Sequence, residues 1–67
     1  MTQYERVHDY IKEHGSITAL EAVNALGCID LAGRVRDLRK LGVAVKSTPE
    51  TVKNRFGDKC RIVRYSL

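Results

Sequence analysis

The chain has 67 residues, enough for one small domain with a thin core, and its net charge is +4. A chain of this length buries only about 60% of the surface that its unfolded form exposes, which argues against a deep catalytic cleft. The charge is uneven, because residues 1–33 carry −3 and residues 34–67 carry +7. This asymmetry attracts polyanions, so we expect nucleic acid as the partner and no membrane.

A capping box predicts the start of the first helix. Thr2 precedes Glu5 by three residues, a spacing in which a hydroxyl and a carboxylate satisfy two backbone amides at a helix N-terminus. Apolar residues then recur at helical spacing until a glycine ends the pattern. The sequence therefore predicts a helix over residues 3–14, followed by a short extended link at 16–17.

Two further helices follow in close succession. Thr18 and Glu21 repeat the capping box, and the apolar spacing predicts a second helix over residues 18–26. After a tight turn, Asp30 is a good N-cap for a third helix over residues 30–41.

The predicted third helix has two different faces. At about 100° per residue, Leu31, Val35 and Leu38 fall within one narrow arc that would face the core. Small or charged residues occupy the remaining surface. They are Ala32, Gly33, Arg34, Arg36, Asp37, Arg39 and Lys40. A solvated face whose charges pair along the helix is the simpler interpretation, but one aspartate cannot neutralise the surrounding cations.

The charged face is suited to the major groove of DNA. Arg36 and Lys40 would reach guanine O6 and N7, and Asp37 would accept from cytosine N4. Arg34 and Arg39, beside the apolar stripe, would lie against the phosphates of the groove walls. The small residues Ala32 and Gly33 would let the backbone approach, and the N-terminal amides of the second helix, after Thr18, would add a phosphate contact.

After the third helix the pattern indicates a β-hairpin over residues 43–66. Val43–Val45 are expected to begin a strand that Pro49 interrupts and that resumes at Thr51–Lys53. Residues 55–58 predict a turn, and Cys60–Ser66 a second strand. Polar and basic residues gather around the turn, where we expect phosphate contacts from Lys53, Asn54, Arg55, Lys59 and Arg61.

Phe56 lies in the predicted turn and has three possible roles. It could pack back on Pro49, enter a groove of DNA, or meet a second subunit. We expect the packing role and assign Phe56 no function.

The order of these elements resembles a winged helix-turn-helix. The resemblance rests on Thr18-x-x-Glu21 with Leu26-Gly27, and on Leu31-x-x-x-Val35-x-x-Leu38-x-x-x-Gly42. More narrowly, LAGRVRDLRKLG followed by TVKNRFGDKCRIVRYSL looks like the small helix-turn-helix proteins of bacteriophages and prophages. The resemblance implies an α+β fold in which one domain, residues 1–67, has three helices followed by a hairpin wing. It also implies that the third helix enters the major groove.

The residues that could carry other chemistry have the wrong spacing for it. Cys28, Cys60, His8 and His14 lack the close pairs of a zinc site, and Cys28 suits a small apolar position in the turn. No phosphate-binding glycine loop or catalytic triad is recognisable. We therefore expect no metal, no cofactor and no enzyme activity.

The sequence thus predicts a double-stranded DNA-binding protein of phage or prophage type. It would be a small transcriptional regulator or an accessory factor in recombination or replication, acting in the cytoplasm of a bacterial host. A module this small binds a modest DNA surface, so a homodimer or a larger phage or host protein is expected to assist. The alternative is a protein-interaction module, an inhibitor or adaptor of a host protein on the same scaffold.

Overall fold

The computed structural model describes all 67 residues. Along the chain it contains α1 (Gln3–His14), β1 (Ser16–Thr18), α2 (Ala19–Leu26), α3 (Leu31–Lys40), β2 (Lys46–Lys53) and β3 (Lys59–Ser66). The predicted α+β fold of three helices and a hairpin is confirmed. None of the helices has the length and apolar character needed to cross a membrane.

Local capping signals determine where the helices begin. In α1 the Thr2 side chain accepts from the backbone of Glu5, and the Glu5 side chain accepts from the backbone of Thr2. The same reciprocal pair forms between Thr18 and Glu21 at α2. Both predicted capping boxes are confirmed. The third predicted cap is present as well, because the Asp30 carboxylate accepts from the Gly33 amide at 3.1 Å.

The sheet brings a distant segment of chain beside the hairpin. Its strand order is β1-β3-β2, and both pairings are antiparallel. The link predicted at residues 16–17 is therefore part of a strand, with Ile17 opposite Tyr65. β3 lies in the centre, and the start of α2 follows directly from the short edge strand β1.

The other edge strand differs from its prediction. Residues 43–45 are not strand, and β2 instead runs without a break through Pro49, which lies opposite Val63. The predicted strand at 43–45 and the predicted interruption at Pro49 are therefore wrong. Proline is tolerated here because β2 is an edge strand, whose outward-facing backbone positions need no N–H for the ladder.

The core lies between the helices and the base of the sheet. Nine apolar residues form it, namely Val7, Ile11, Ile17, Ala22, Cys28, Leu31, Val35, Leu38 and Val45. The four largest that are fully buried are Ile11, Ile17, Val7 and Val35. Burying such a side chain contributes roughly 1.5–3 kcal/mol, so a few residues hold the orientation of α3 against α1 and α2.

Candidate nucleic-acid interface

The structure separates the apolar and basic faces of α3. Leu31, Val35 and Leu38 are buried, with exposed fractions of 3%, 1% and 2%. Arg36 and Lys40 are exposed, and neither has an ion-pair partner within the protein. Their charged ends are therefore free to contact a ligand while the opposite side of the helix is fixed in the core.

Asp37 has a partner within α3. Its Oδ2 lies 3.1 Å from Nε of Arg34, and both side chains are more than a third exposed. Exposed ion pairs of this spacing contribute only about 0.3–0.5 kcal/mol, so the pair opens at little cost. It neutralises part of the charge of Arg34 and leaves Arg36 and Lys40 as the free cations of the helix.

The two small residues at the start of α3 have different surroundings. Ala32 is exposed, whereas Gly33 is buried, so the prediction that Gly33 lies on the open face is wrong. The reason is the N-cap, since a Cβ atom on Gly33 would collide with the carboxylate of Asp30. Glycine at this position makes room for the capping side chain, and only Ala32 offers a small exposed surface.

Arg39 connects the end of α3 to the start of the wing. Its Nη2 donates to the Val45 carbonyl at 2.9 Å and to Ser47 Oγ at 2.7 Å, and its Nε lies 3.3 Å from the same carbonyl. The phosphate contact predicted for Arg39 can use only the guanidinium N–H groups that these bonds leave free. The side chain also holds the base of the hairpin against the helix.

The predicted cations of the wing are exposed and lie close together. Lys53, Arg55, Lys59 and Arg61 are all exposed. Lys53 pairs directly with Lys59, and Thr51 with Arg61, so three of these cations share one face of the hairpin. Like charges opposite each other are unfavourable in a sheet, and they create a local field that attracts phosphate.

The loop that joins the two strands is held by Asn54. Its Oδ1 accepts from the amides of Phe56 at 2.9 Å and Asp58 at 3.1 Å. Gly57 has φ 83°, a conformation that favours glycine, and donates to the Asn54 carbonyl at 3.0 Å. The predicted turn is confirmed. Asn54, predicted to contact phosphate, has its side-chain oxygen engaged in the loop.

Phe56 does not pack on the protein. Its side chain is 82% exposed at the tip, whereas Pro49 lies further down the hairpin opposite Val63. The expected packing of Phe56 on Pro49 is wrong, because the loop formed around Asn54 carries the ring away from β2.

Thr18 is buried within its own capping box. Its hydroxyl donates to Glu21 Oε1 at 3.1 Å and accepts from the Glu21 amide at 3.3 Å. The Glu21 carboxylate thus already lies at the N-terminus of α2, where the sequence predicts a phosphate contact. A phosphate at this end would meet a negative charge that the helix dipole already stabilises.

Sequence reasoning missed Arg64 of β3, whose side chain bonds residues of β1, β2 and α2. Its Nε donates to Glu50 Oε1 at 2.8 Å, and its Nη1 lies 3.0 Å from Ser16 Oγ and 3.5 Å from Glu21 Oε1. The hydrogen bond with Glu50 raises the pKa of Arg64 further above its usual value. No local pattern identifies this residue, since its partners lie 14, 48 and 43 positions away.

A groove lies between the N-terminal ends of α2 and α3 and the wing. It has a volume of about 700 Å³ and is lined by Leu20 and Ile29, by Ala32 at the start of α3, and by Val52 and Ile62 in the outer half of the hairpin. Arg39 ties the other end of α3 to the base of the same hairpin. The base of the wing is thus tied to the C-terminal end of α3, and its outer half faces the N-terminal end of α3 across the groove.

The remaining candidate ligands are dispersed. Cys28 lies in the core and Cys60 is exposed on β3. No group of three or more histidine, cysteine, aspartate or glutamate residues is arranged to hold a metal ion.

The helix pair α2 and α3, joined by a short turn and followed by a basic hairpin, is the arrangement of the winged helix-turn-helix, a class of fold that generally binds DNA. A family model described as "Winged helix-turn-helix domain" matches residues 2–67. The chain belongs to this family, and the suspected resemblance is confirmed. Searches of curated proteins and of solved structures found no match.

Proposed function

We propose that this protein binds double-stranded DNA of defined sequence, with α3 in the major groove and the wing along the backbone. The observation that carries the proposal is the pair Arg36 and Lys40, exposed and without acidic partners opposite the buried stripe of α3. The role is that of a small transcriptional regulator, or of an accessory factor in recombination or replication, of phage or prophage type.

The dimensions of α3 suit this placement. Its ten residues span about 15 Å, and the major groove of B-DNA is about 12 Å wide. In this position Arg36 donates a bidentate pair to guanine and Lys40 reaches a neighbouring acceptor. Asp37 accepts from cytosine N4 when its pair with Arg34 opens, and Arg34 then contacts phosphate. The exposed Ala32 allows a close approach near the start of the helix.

The wing supplies contacts that do not depend on sequence. Lys53, Arg55, Lys59 and Arg61 neutralise phosphates, and each such contact steepens the loss of affinity with salt. The contacts predicted for four further residues remain predictions, and each of these residues also has a partner within the protein. They are Thr18, Gly33, Arg39 and Asn54.

A second protein surface completes the proposal. A single module of this size buries a modest area on DNA, so useful affinity calls for two modules or an added partner. The exposed acids of α1, Glu5, Asp9 and Glu13, would be repelled by DNA. We therefore place α1 away from the duplex, where it is available to a second copy or to a larger phage or host protein.

Selection of bound duplexes from a random pool tests the proposal, followed by salt titrations on the recovered duplex. Arg36→Ala should lose preference at one base position, by about 1–3 kcal/mol, whereas Lys53→Ala should weaken all duplexes alike and reduce the salt slope by about one. Lys12→Ala is the matched control, because it removes one cation from α1. A pool that yields no enriched sequence, together with equal effects of the three substitutions, would refute the proposal.

A protein-interaction module is the second candidate, and the apolar groove favours it. Leu20 and Ile29 in this groove are 70% and 89% exposed, an unusual use of large apolar side chains on a small domain. An inhibitor or adaptor of a host protein would bind DNA weakly and without sequence preference. Its complex with the host protein would be lost in Leu20→Asp and retained in Arg36→Ala.

A further inference from the structure

The wing ends in an aromatic side chain that stands in solvent. Phe56 is the only phenylalanine of the chain, and 82% of its surface is exposed. Burying an aromatic ring removes about 150–250 Å² from water, a gain that the folded protein leaves unused. We propose that Phe56 is an apolar wedge that enters a base step of duplex DNA beside the sequence read by α3. The inference rests on the proposed function.

The loop presents this ring in a defined position. Asn54 Oδ1 accepts from the Phe56 amide at 2.9 Å and from the Asp58 amide at 3.1 Å. The Asn54 amide in turn donates to the Asp58 carbonyl at 2.9 Å. A loop closed by its own hydrogen bonds loses little conformational entropy on binding, so the ring is preorganised for insertion.

The wing is long enough to carry the ring past α3. Its strands have eight residues each, about 26 Å, whereas the ten residues of α3 span about 15 Å. The hairpin starts at the end of α3, where Arg39 bonds Ser47, and its outer half lies beside the start of α3 at Ala32. The tip therefore lies beyond the hairpin residues that face Ala32, and we place it at the groove of DNA next to the one that α3 would occupy.

The charges around the ring select the partner. Lys53, Arg55 and Lys59 surround the tip, with Asp58 as the single acid of the loop. Duplex DNA offers phosphates for these cations and apolar base faces for the ring within a few ångströms of each other. A lipid surface fits less well, because membrane binding requires a broad apolar face rather than one ring among cations.

Insertion has two physical consequences. An apolar side chain between two base pairs partly unstacks them and bends the duplex by roughly 20–90°. Pyrimidine–purine steps unstack most easily, so bound sites should contain such a step at a fixed distance from the bases read by Arg36. The ring thus adds a preference at a position that α3 does not touch.

The test measures affinity and bending together on a duplex recovered from the random pool. The duplex carries a donor and an acceptor fluorophore at its ends, and a second version carries 2-aminopurine at the expected step. The proteins compared are the full chain, Phe56→Ala, and Phe56→Leu as the control that keeps an apolar wedge. The ring is exposed, so the unfolding midpoint of the variants should match that of the parent chain.

The expected result is that the parent chain bends the duplex and raises 2-aminopurine fluorescence. Phe56→Ala should abolish both signals and lose roughly tenfold in affinity with an unchanged salt slope, while Phe56→Leu retains most of the bend. A parent complex that is straight, or a bend that survives in Phe56→Ala, overturns the wedge while leaving DNA binding intact. The wedge is also overturned if the parent chain prefers single-stranded to duplex DNA and if this preference depends on Phe56. If the parent chain shows no salt-dependent duplex binding, the proposed function fails together with the wedge.

Discussion

Lys53 lies directly opposite Lys59 in the ladder that joins the two strands of the wing. Directly opposed like charges destabilise an antiparallel pair, by a fraction of a kcal/mol up to about 1 kcal/mol. Both side chains are exposed and neither has an acidic partner. A phosphate placed between the two ammonium groups would turn this repulsion into attraction and would thereby stabilise the wing.

Replacing one member of the pair should therefore stabilise the free protein and weaken its complex. Lys53→Thr should raise the free energy of unfolding by about 0.2–1 kcal/mol at low salt, and less at high salt because screening already weakens the repulsion. Urea unfolding at two ionic strengths measures this change. Lys46→Thr is the control, since Lys46 faces Ser66 rather than a cation. Equal stabilisation by both substitutions would contradict the assigned repulsion.

Arg36 should be sensitive to the shape of its charged group as well as to the charge. Arg36→Lys keeps the cation but loses the planar fork, so preference at one base pair should fall by about 1–3 kcal/mol while affinity for random duplex and the salt slope stay unchanged. Arg61→Lys is the matched control on the wing, where a point charge suffices for phosphate. Competition binding with duplexes altered at single positions gives the result. A uniform loss across all duplexes would show that Arg36 does not read a base.

The close contact between Gly33 and Asp30 predicts that the effect of Gly33→Ala on stability depends on the capping side chain. In the parent chain, Gly33→Ala should displace the capping carboxylate, a loss of about 1 kcal/mol that cancels or exceeds the gain in helix propensity. In an Asp30→Ala background the contact is gone, and the same substitution should stabilise by about 1 kcal/mol. The unfolding free energies of the parent chain, the two single variants and the double variant give the coupling between positions 30 and 33. Additive effects would mean that the cap does not require glycine.

Arg39 should affect how the wing is held as well as how DNA is bound. Arg39→Gln removes the guanidinium group that bonds the Val45 carbonyl and Ser47 Oγ, so the amides at the base of β2 should exchange hydrogen faster in the free protein. Lys40→Gln removes a neighbouring cation that has no such bonds and should leave exchange unchanged. Hydrogen exchange of the free protein gives the first readout, and the salt slope of DNA binding gives the second. Unchanged exchange in Arg39→Gln would exclude the positioning role.

The cap of α1 predicts a defined dependence of stability on pH. Hydrogen bonds from the Thr2 amide and hydroxyl hold the pKa of Glu5 below its ordinary value of 4.5. A group with a lowered folded-state pKa contributes stability above its unfolded-state pKa, and this contribution is lost as the pH falls through the folded-state pKa. The parent chain should therefore lose more stability below about pH 4.5 than Glu5→Gln, which caps without titrating. Thermal unfolding midpoints from about pH 7 to about pH 3 provide the comparison, and parallel curves would contradict the linkage.

The features predicted correctly from sequence depend on contacts within a few residues. The two capping boxes, the Asp30 cap, the apolar stripe of α3 and the turn around Gly57 all involve partners no more than seven positions apart. Over such distances the geometry of the helix or turn is fixed, so spacing in the sequence translates directly into contact. The basic face of α3 belongs to the same group.

Tertiary structure decided the features that depend on where separate elements meet. The pairing of Ile17 with Tyr65, the edge position that admits Pro49, and the partners of Arg64 follow from strand order and register. The attachment of Arg39 to the wing follows from the position of the hairpin base beside the end of α3. Register and direction result from packing the whole core at once. Local spacing and capping therefore determined the three helices and the turn of the wing, whereas the mutual arrangement of the elements determined the strand pairing and which side chains are left free to meet a ligand.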